Sequence, residues 1–281
     1  MRFLPLLVLL AACGEEDATE NLLQPAVPGQ PSGTCPNLSE NGLHSFESNG
    51  LERRVQVFLP SEMGPGKPVI FVWHPLGDSG NGLSRYLGME DMADDEDTIV
   101  IVPRSGGNIM EWGFLNGGED DLALFDDVLA CLHQEHEVDL RRVYATGFSA
   151  GGLWTTFLSI HRSDSLAASL IFSGGTEPII DYDELDYKLP VLQAWGGPTD
   201  TWGIEGLFNV EFEATTLAFE EELVDDGHTV VSCDHGLAHS LPDEARDMVR
   251  TWLFSHTYGE PSPFAEGELE GFPAFCERMS P

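Results

Sequence analysis

The sequence predicts an α/β protein with a mostly parallel central sheet and helices on both of its faces. Three observations lead there. Short, fully apolar, β-branched runs recur along the chain, as strands buried on both faces require. Longer runs with apolar residues at helical spacing alternate with them. And 281 residues, 42% hydrophobic and 10% aromatic, suffice for one large domain with a well-buried core.

From about residue 41 the alternation can be followed in order. Val55 to Leu59 is a short apolar strand, and Val69 to Trp73 (VIFVW) and Thr98 to Val102 (TIVIV) are fully apolar ones. Leu83 to Met92 can form a helix, and Asp121 to His136 carries Leu124, Val128, Leu129 and Leu132 at helical spacing. Arg142 to Thr146 then reads as a strand and Gly151 to Ile160 as a helix. Ala167 to Phe172 and Pro190 to Trp195 give two more strands, and Phe212 to Asp226 a helix. Thr229 to Cys233 is the last strand and Asp243 to His256 the last helix. One folded domain is therefore expected over residues 41–258, and 259–281, rich in Pro, Gly and Glu, as an extended tail pinned by Cys276 if that residue is bridged.

The N-terminus has a different character. Arg2 precedes an apolar run, Phe3 to Leu10, too short to span a bilayer but long enough for a signal peptide. Residues 1–12 are expected to be that signal. Leu10-Ala11-Ala12-Cys13 resembles the lipobox of bacterial lipoproteins, which implies cleavage before Cys13 and lipidation of its sulfur. The plain alternative is a secretory signal cut at Ala12. Residues 13–40 suit a flexible tether. The chain is thus expected to be exported and lipid-anchored to the cell envelope, in the periplasm or at the cell surface.

With Cys13 set aside, Cys35, Cys131, Cys233 and Cys276 are an even number in an oxidising compartment, which implies two disulfides with the pairing open. None has Cys-x-x-Cys spacing, so no metal site is expected. With 48 acidic against 13 basic residues the formal charge is −35. That excludes nucleic acid as a partner, because phosphate binding needs clustered Lys and Arg. The acid run from Glu90 to Asp97 reads as a solvated helix face.

Gly147-Phe148-Ser149-Ala150-Gly151 matches G-x-S-x-G, the nucleophile elbow. A serine on a sharp strand-to-helix turn projects its oxygen beyond the sheet edge. The turn brings backbone against backbone, so its flanking positions must be nearly free of side chain. The helix that follows offers free N–H groups to a developing oxyanion. The pattern is short, and its context carries the argument: the strand RRVYAT leads in and the helix GLWTTFLSI leads out. The alternative is a tight turn with an incidental serine.

Acyl transfer needs two N–H donors at the oxyanion. One is the amide of Ala150. The segment His74-Pro75-Leu76-Gly77 resembles the His-Gly-X loop of α/β-hydrolases, which implies Leu76 as the other, although Pro75 stands where that family has glycine. In this fold the order along the chain is Ser, then acid, then His. The last strand is followed by a loop with two histidines, His235 and His239. His239, with small neighbours, is the expected base, and His235, just after the strand, is expected to be structural. Asp200 is the one carboxylate in the loop Trp195 to Gly203 and is the expected acid.

The segments RVYATGFSAGGLW, WGGPTDTWG and CDHGLAHSLP resemble the polyhydroxybutyrate depolymerase, feruloyl esterase and acetylxylan esterase group of α/β-hydrolases, over roughly residues 50 to 256. One glycine of the group's base motif has become Ala238. The resemblance implies hydrolysis of carboxylic esters of polymers or their fragments, without a cofactor; separately, the protein is expected to be a monomer. Trp154 is expected in the core, while Trp112 and Trp202 fall where substrate-stacking walls of the site are expected. Two rivals remain open on sequence: a serine peptidase of the same fold, and a non-catalytic glycan-binding lipoprotein.

Overall fold

The computed structural model describes residues 23–106, 112–204 and 208–280. The expected signal segment, Cys13 and the first part of the expected tether lie outside the described residues.

The chain opens with an antiparallel hairpin, β1 (Gly42–Ser48) and β2 (Leu51–Phe58). Then follow β3 (Val69–Trp73), α1 (Asn81–Tyr86), α2 (Met89–Asp95), β4 (Ile99–Pro103), α3 (Glu119–His136), β5 (Val143–Phe148), α4 (Ala150–Arg162), β6 (Ala168–Phe172) and β7 (Val191–Trp195). A short hairpin, β8 (Thr201–Ile204) and β9 (Phe208–Glu211), precedes α5 (Phe212–Asp225), β10 (Val230–Asp234), α6 (Ala245–Leu253) and β11 (Cys276–Arg278).

The main sheet has the order β1-β2-β4-β3-β5-β6-β7-β10-β11. The six strands from β4 to β10 run parallel, and β1, β2 and β11 are antiparallel additions at the two edges. Residues of β3, β4, β5, β6 and β7 are buried on both faces, which is why their sequences are apolar without alternation. Helices α3, α4 and α5 cover one face and α1, α2 and α6 the other. All six parallel strands end at the same edge, where ligand sites of such sheets lie.

Several expectations need correction. The tether is not flexible through residue 40. Its described part is pinned to the domain by the Cys35–Cys131 disulfide, by Ser32 donating to Asp127 through its amide (2.7 Å) and its hydroxyl (2.5 Å), and by fully buried Leu38. Composition is a poor guide there because the order comes from α3, about a hundred residues away. The helix expected over Leu83 to Met92 is two helices, broken at Gly88, whose φ is +63°. A Cβ at Gly88 would fall 2.7 Å from the Arg246 guanidinium, so the break also seats α6. The acid run is not simply solvated: Asp91 and Asp95 face Arg246, Glu96 pairs with Arg250 and Asp97 with Lys67. The tail, held by the Cys233–Cys276 disulfide, is not merely extended, since it adds β11 to the sheet. No helix among the described residues is long and apolar enough to cross a membrane.

Candidate active site

Ser149 sits between β5 and α4 with φ +58° and ψ −120°, a conformation a residue with a Cβ adopts only under strain. The surroundings force the turn. A Cβ on Gly147 would lie 2.2 Å from the Gly151 carbonyl oxygen, and one on Gly151 would lie 1.9 Å from that of Trp73. Only glycine fits either place. The serine amide donates to the Phe172 carbonyl (3.0 Å), and the side chain is directed out over the sheet edge at 7% exposure.

His239 Nε2 lies 2.9 Å from Ser149 Oγ, and its Nδ1 lies 2.7 Å from Asp200 Oδ1. With Nδ1 donating to the carboxylate, Nε2 is free to accept from the serine hydroxyl. Asp200, 1% exposed, also accepts from Ser173 Oγ and the Gly196 amide, both at 2.8 Å. Its charge is thus met by three donors, as a buried carboxylate requires.

The loops after β7 and β10 are zipped together. His235 N–H donates to the Trp195 carbonyl (2.9 Å) and Ala238 N–H to that of Gly196 (3.0 Å). A Cβ on Gly196 would lie 1.9 Å from the Ala238 carbonyl oxygen, so the acid loop admits only glycine there. Ala238 itself has φ +57°, a left-handed conformation that glycine adopts more easily than alanine. His235 accepts from the Leu237 amide (3.2 Å) and meets the edge of Phe275. Burial holds its imidazole below the ordinary histidine range, against the pull of Asp200 and Asp234.

Two aromatic rings enclose the imidazole of His239. Phe148 stacks on it at 4.9 Å with an interplanar angle of 29°, and Phe212 at 4.7 Å and 10°. Phe212 arrives there because the β8–β9 hairpin leaves from Asp200 and returns to it: the Phe212 amide donates to the Asp200 carbonyl at 2.9 Å.

The loop carrying Leu76 follows β3. Trp112 Nε1 donates to the His74 carbonyl (2.9 Å), and the Asp78 amide to that of Pro75 (3.2 Å). Ser105 N–H donates to His74 Nε2 (3.3 Å), leaving Nδ1 to donate to the Pro75 carbonyl (2.9 Å). The positive φ of this loop falls at Gly77, so the proline at 75 meets no conflict. Ala150 is the first residue of α4, where helical N–H groups lack an internal acceptor.

One expectation is corrected here. Trp112 is not a wall of the site: it is 1% exposed, packed edge-on against Trp73 at 4.9 Å and stacked on Trp154 at 6.3 Å. Its indole is a core element that holds the His74 carbonyl. Trp202, in β8, is half-buried beside Asp200. Trp154 lies in the core. Sequence reasoning missed Ser173, Phe148 and Phe212. Ser173 was within reach, since it directly follows a strand at the same edge. Phe212 was not, because nothing local separates it from a core phenylalanine. Among the described residues no group of His, Cys, Asp or Glu is arranged to hold a metal ion.

No family model matches the chain. It is 28% identical over 178 residues to feruloyl esterase D of Neurospora crassa, covering 56% of this chain and 60% of that one. It is 29% identical over 148 residues to feruloyl esterase B of Thermothelomyces thermophilus, covering 50% of each. Against a bifunctional acetylxylan esterase/xylanase of Neocallimastix patriciarum it is 28% identical over 125 residues, 44% of this chain and 18% of that protein. The chain thus spans less than two thirds of these relatives. The native structure of pOPH superimposes with a TM-score of 0.72 at 20% identity, covering 90% of this chain and 97% of that one. A poly(3-hydroxybutyrate) depolymerase from Bordetella parapertussis gives 0.57 at 16%, covering 76% and 89%. By fold the chain is an α/β-hydrolase, and over about half of its length its sequence is similar to feruloyl and acetylxylan esterases.

Proposed function

We propose that this chain is a serine hydrolase of carboxylic esters, with Ser149 as nucleophile, His239 as proton carrier and Asp200 as the group that orients it. The observation that carries this reading is the unbroken run of hydrogen bonds from Asp200 through His239 to a strained serine at the carboxyl edge of a parallel sheet. Ser149 Oγ attacks the ester carbonyl as His239 Nε2 takes its proton. The amides of Leu76 and Ala150 hold the oxyanion. The alcohol leaves with the proton from His239, and the acyl group stays on Ser149. Water, deprotonated by the same nitrogen, then releases the acid and restores the serine.

The names of the sequence relatives support feruloyl or acetyl esters on polysaccharide, and the depolymerase likeness a polyester, as the substrate class. Trp202 and exposed Leu237, each close in sequence to a member of the site, are the proposed contacts for the substrate. Export and lipid anchoring through Cys13 belong to the same proposal, and Cys13→Ala is expected to release the protein from the membrane fraction.

The test is direct. Fluorophosphonate is expected to label the protein at Ser149, and p-nitrophenyl acetate to be hydrolysed while an aminoacyl anilide is not. Hydrolysis of the anilide at a comparable rate would replace the reading by a peptidase. Absence of labelling would remove the nucleophile.

A further inference from the structure

Charge in this chain is distributed against expectation at one place. With 48 acidic residues against 13 basic ones, a lysine or arginine has carboxylates on offer almost anywhere. Eight basic residues take them. Among the described residues four arginines have no carboxylate within ion-pair distance: Arg278, which donates to the Phe264 and Gly267 carbonyls at the far end of the sheet, and Arg54, Arg85 and Arg104, which come from β2, α1 and the end of β4. The register of β2 on β4 pairs Val55 with Pro103, which sets Arg54 opposite Arg104 on the next rung, and the Arg104 amide donates to the Arg54 carbonyl at 2.8 Å. Like charges opposite one another across strands destabilise a sheet. Arg54 also lowers the tendency of Arg104 to hold its proton, second to burial.

Arg104 is held rather than free to move away. Its Nη2 donates to Asn81 Oδ1 (2.9 Å), and its Nε is buried without a partner. Asp78, whose charge acts on Arg104 against that of Arg54, makes no ion pair with it and is turned to the amides of Gly82 (3.1 Å) and Leu83 (2.8 Å). Behind the pair, an open groove of about 360 Å³ runs between β2 and the first two helices. Its walls include Gln56, Phe58, Asn81, Ser84 and Arg85, and also the carboxylates Glu90 and Asp91.

The position relates this groove to the site. Arg104 directly follows β4, at the edge where Ser149, Asp200 and His239 gather, and β4 lies two strands from β5, about 10 Å across the sheet. A Cβ placed on Gly80 would lie 3.7 Å from the His74 ring and 3.9 Å from Arg104 Nη1, so little more than the Gly80 backbone stands between the groove and the Leu76 loop.

We infer that the Arg54–Arg104 pair and the groove behind it bind a carboxylate-bearing saccharide, the uronate side group of a polysaccharide whose ester is presented to Ser149. Planar guanidinium groups match a carboxylate in paired hydrogen bonds. The amides of Gln56 and Asn81 and the Ser84 hydroxyl suit sugar hydroxyls, and Phe58 offers an apolar face. Glu90, Asp91 and the negative field of the whole chain disfavour a densely charged polyanion. A neutral chain with sparse acidic groups is the ligand that fits both facts. This inference rests on the esterase reading for its purpose, but binding can be measured apart from hydrolysis.

The experiment is affinity electrophoresis of Ser149→Ala protein through gels containing glucuronoxylan, or the same polymer after reduction of its carboxyl groups. Retardation by glucuronoxylan and not by the reduced polymer is expected. Adding Arg54→Gln and Arg104→Gln should weaken it by roughly tenfold or more. In the protein with Ser149 intact, the two Gln substitutions should leave p-nitrophenyl acetate hydrolysis within about twofold and the melting temperature no lower, since they remove a like-charge pair. Equal retardation by both polymers, none by either, or no loss in the double variant would overturn the inference. Should p-nitrophenyl acetate hydrolysis survive Ser149→Ala, the esterase reading fails by itself and the binding result stands.

Discussion

Glu220 presents a conflict whose size can be worked out. It lies on α5, 1% exposed against β7 and β10, and neither carboxylate oxygen has a well-aligned hydrogen bond. Burial pushes its carboxyl from 4.5 up to about 7; the nearby Ser232 hydroxyl pulls the other way, and Glu277 adds to the rise. A folded-state value above the unfolded one means the native protein holds the proton more tightly. Stability from this group is therefore complete below about pH 4.5 and is lost as pH rises through about 7. The gap between those values corresponds to about 3 kcal/mol. Glu220→Gln keeps the shape and removes the charge. At pH 4 the two proteins should melt together, and by pH 8.5 the variant should be more stable by about 3 kcal/mol, or roughly 6–12 °C for a domain of this size. Thermal and urea melts of both proteins at five pH values, compared as differences, isolate the group from the many surface carboxylates. A difference constant from pH 4 to 8.5 would refute the reasoning.

Three further outcomes can be checked. Ser149→Gly should abolish ester hydrolysis yet raise stability by about 1 kcal/mol, since relief of a strained backbone worth about 1–3 kcal/mol outweighs one hydrogen bond of about 1 kcal/mol; a lower melting temperature would contradict the strain. Phe212→Leu keeps the packing but removes the π face from the imidazolium that forms in the transition state, so kcat should fall roughly 3- to 30-fold with KM unchanged. A shift in KM alone would assign Phe212 to substrate binding instead. Cys35→Ser with Cys131→Ser opens a loop with a sequence separation of 96 and should cost about 4–5 kcal/mol in denaturant melts, with p-nitrophenyl acetate kinetics unchanged at 25 °C where the protein stays folded.

How much of this was legible depended on where the ordering information resides. The parallel strands announce themselves because burial on both faces leaves only apolar, β-branched residues, as in Val69–Trp73 and Ile99–Pro103. The edges do not. In β1 only Phe46 and Ser48 are buried, so Gly42–Ser48 carries no clear alternation, and β11 is three residues long and depends on Cys276. The segment around Ser32 to Leu38 reads as a polar linker because its partners, Asp127, Cys131 and Glu135, all lie on α3. At the site, Ser149, Asp200 and His239 were readable since each follows a strand at the same edge. The rings around His239 were not, because a phenylalanine at a helix start looks like any core residue. Trp112 shows the opposite failure: a tryptophan in a glycine-rich loop suggested a surface, whereas its ring closes the core beneath the His74 turn.

The disulfide at the end of the sheet also sets an order of events. Cys233 stands one residue before the turn that carries Asp234 to His239, and its partner Cys276 comes well after His239 along the chain. A growing polypeptide therefore makes Ser149, Asp200 and His239 before it makes β11, which pairs with the strand leading into the His239 loop. Until β11 is synthesised and the two sulfurs are oxidised, β10 is an open edge and the histidine loop lacks its outer support. On the proposed function, competence for catalysis would in this sense be a late property, acquired when the Cys233–Cys276 bond forms rather than when the His239 loop is made.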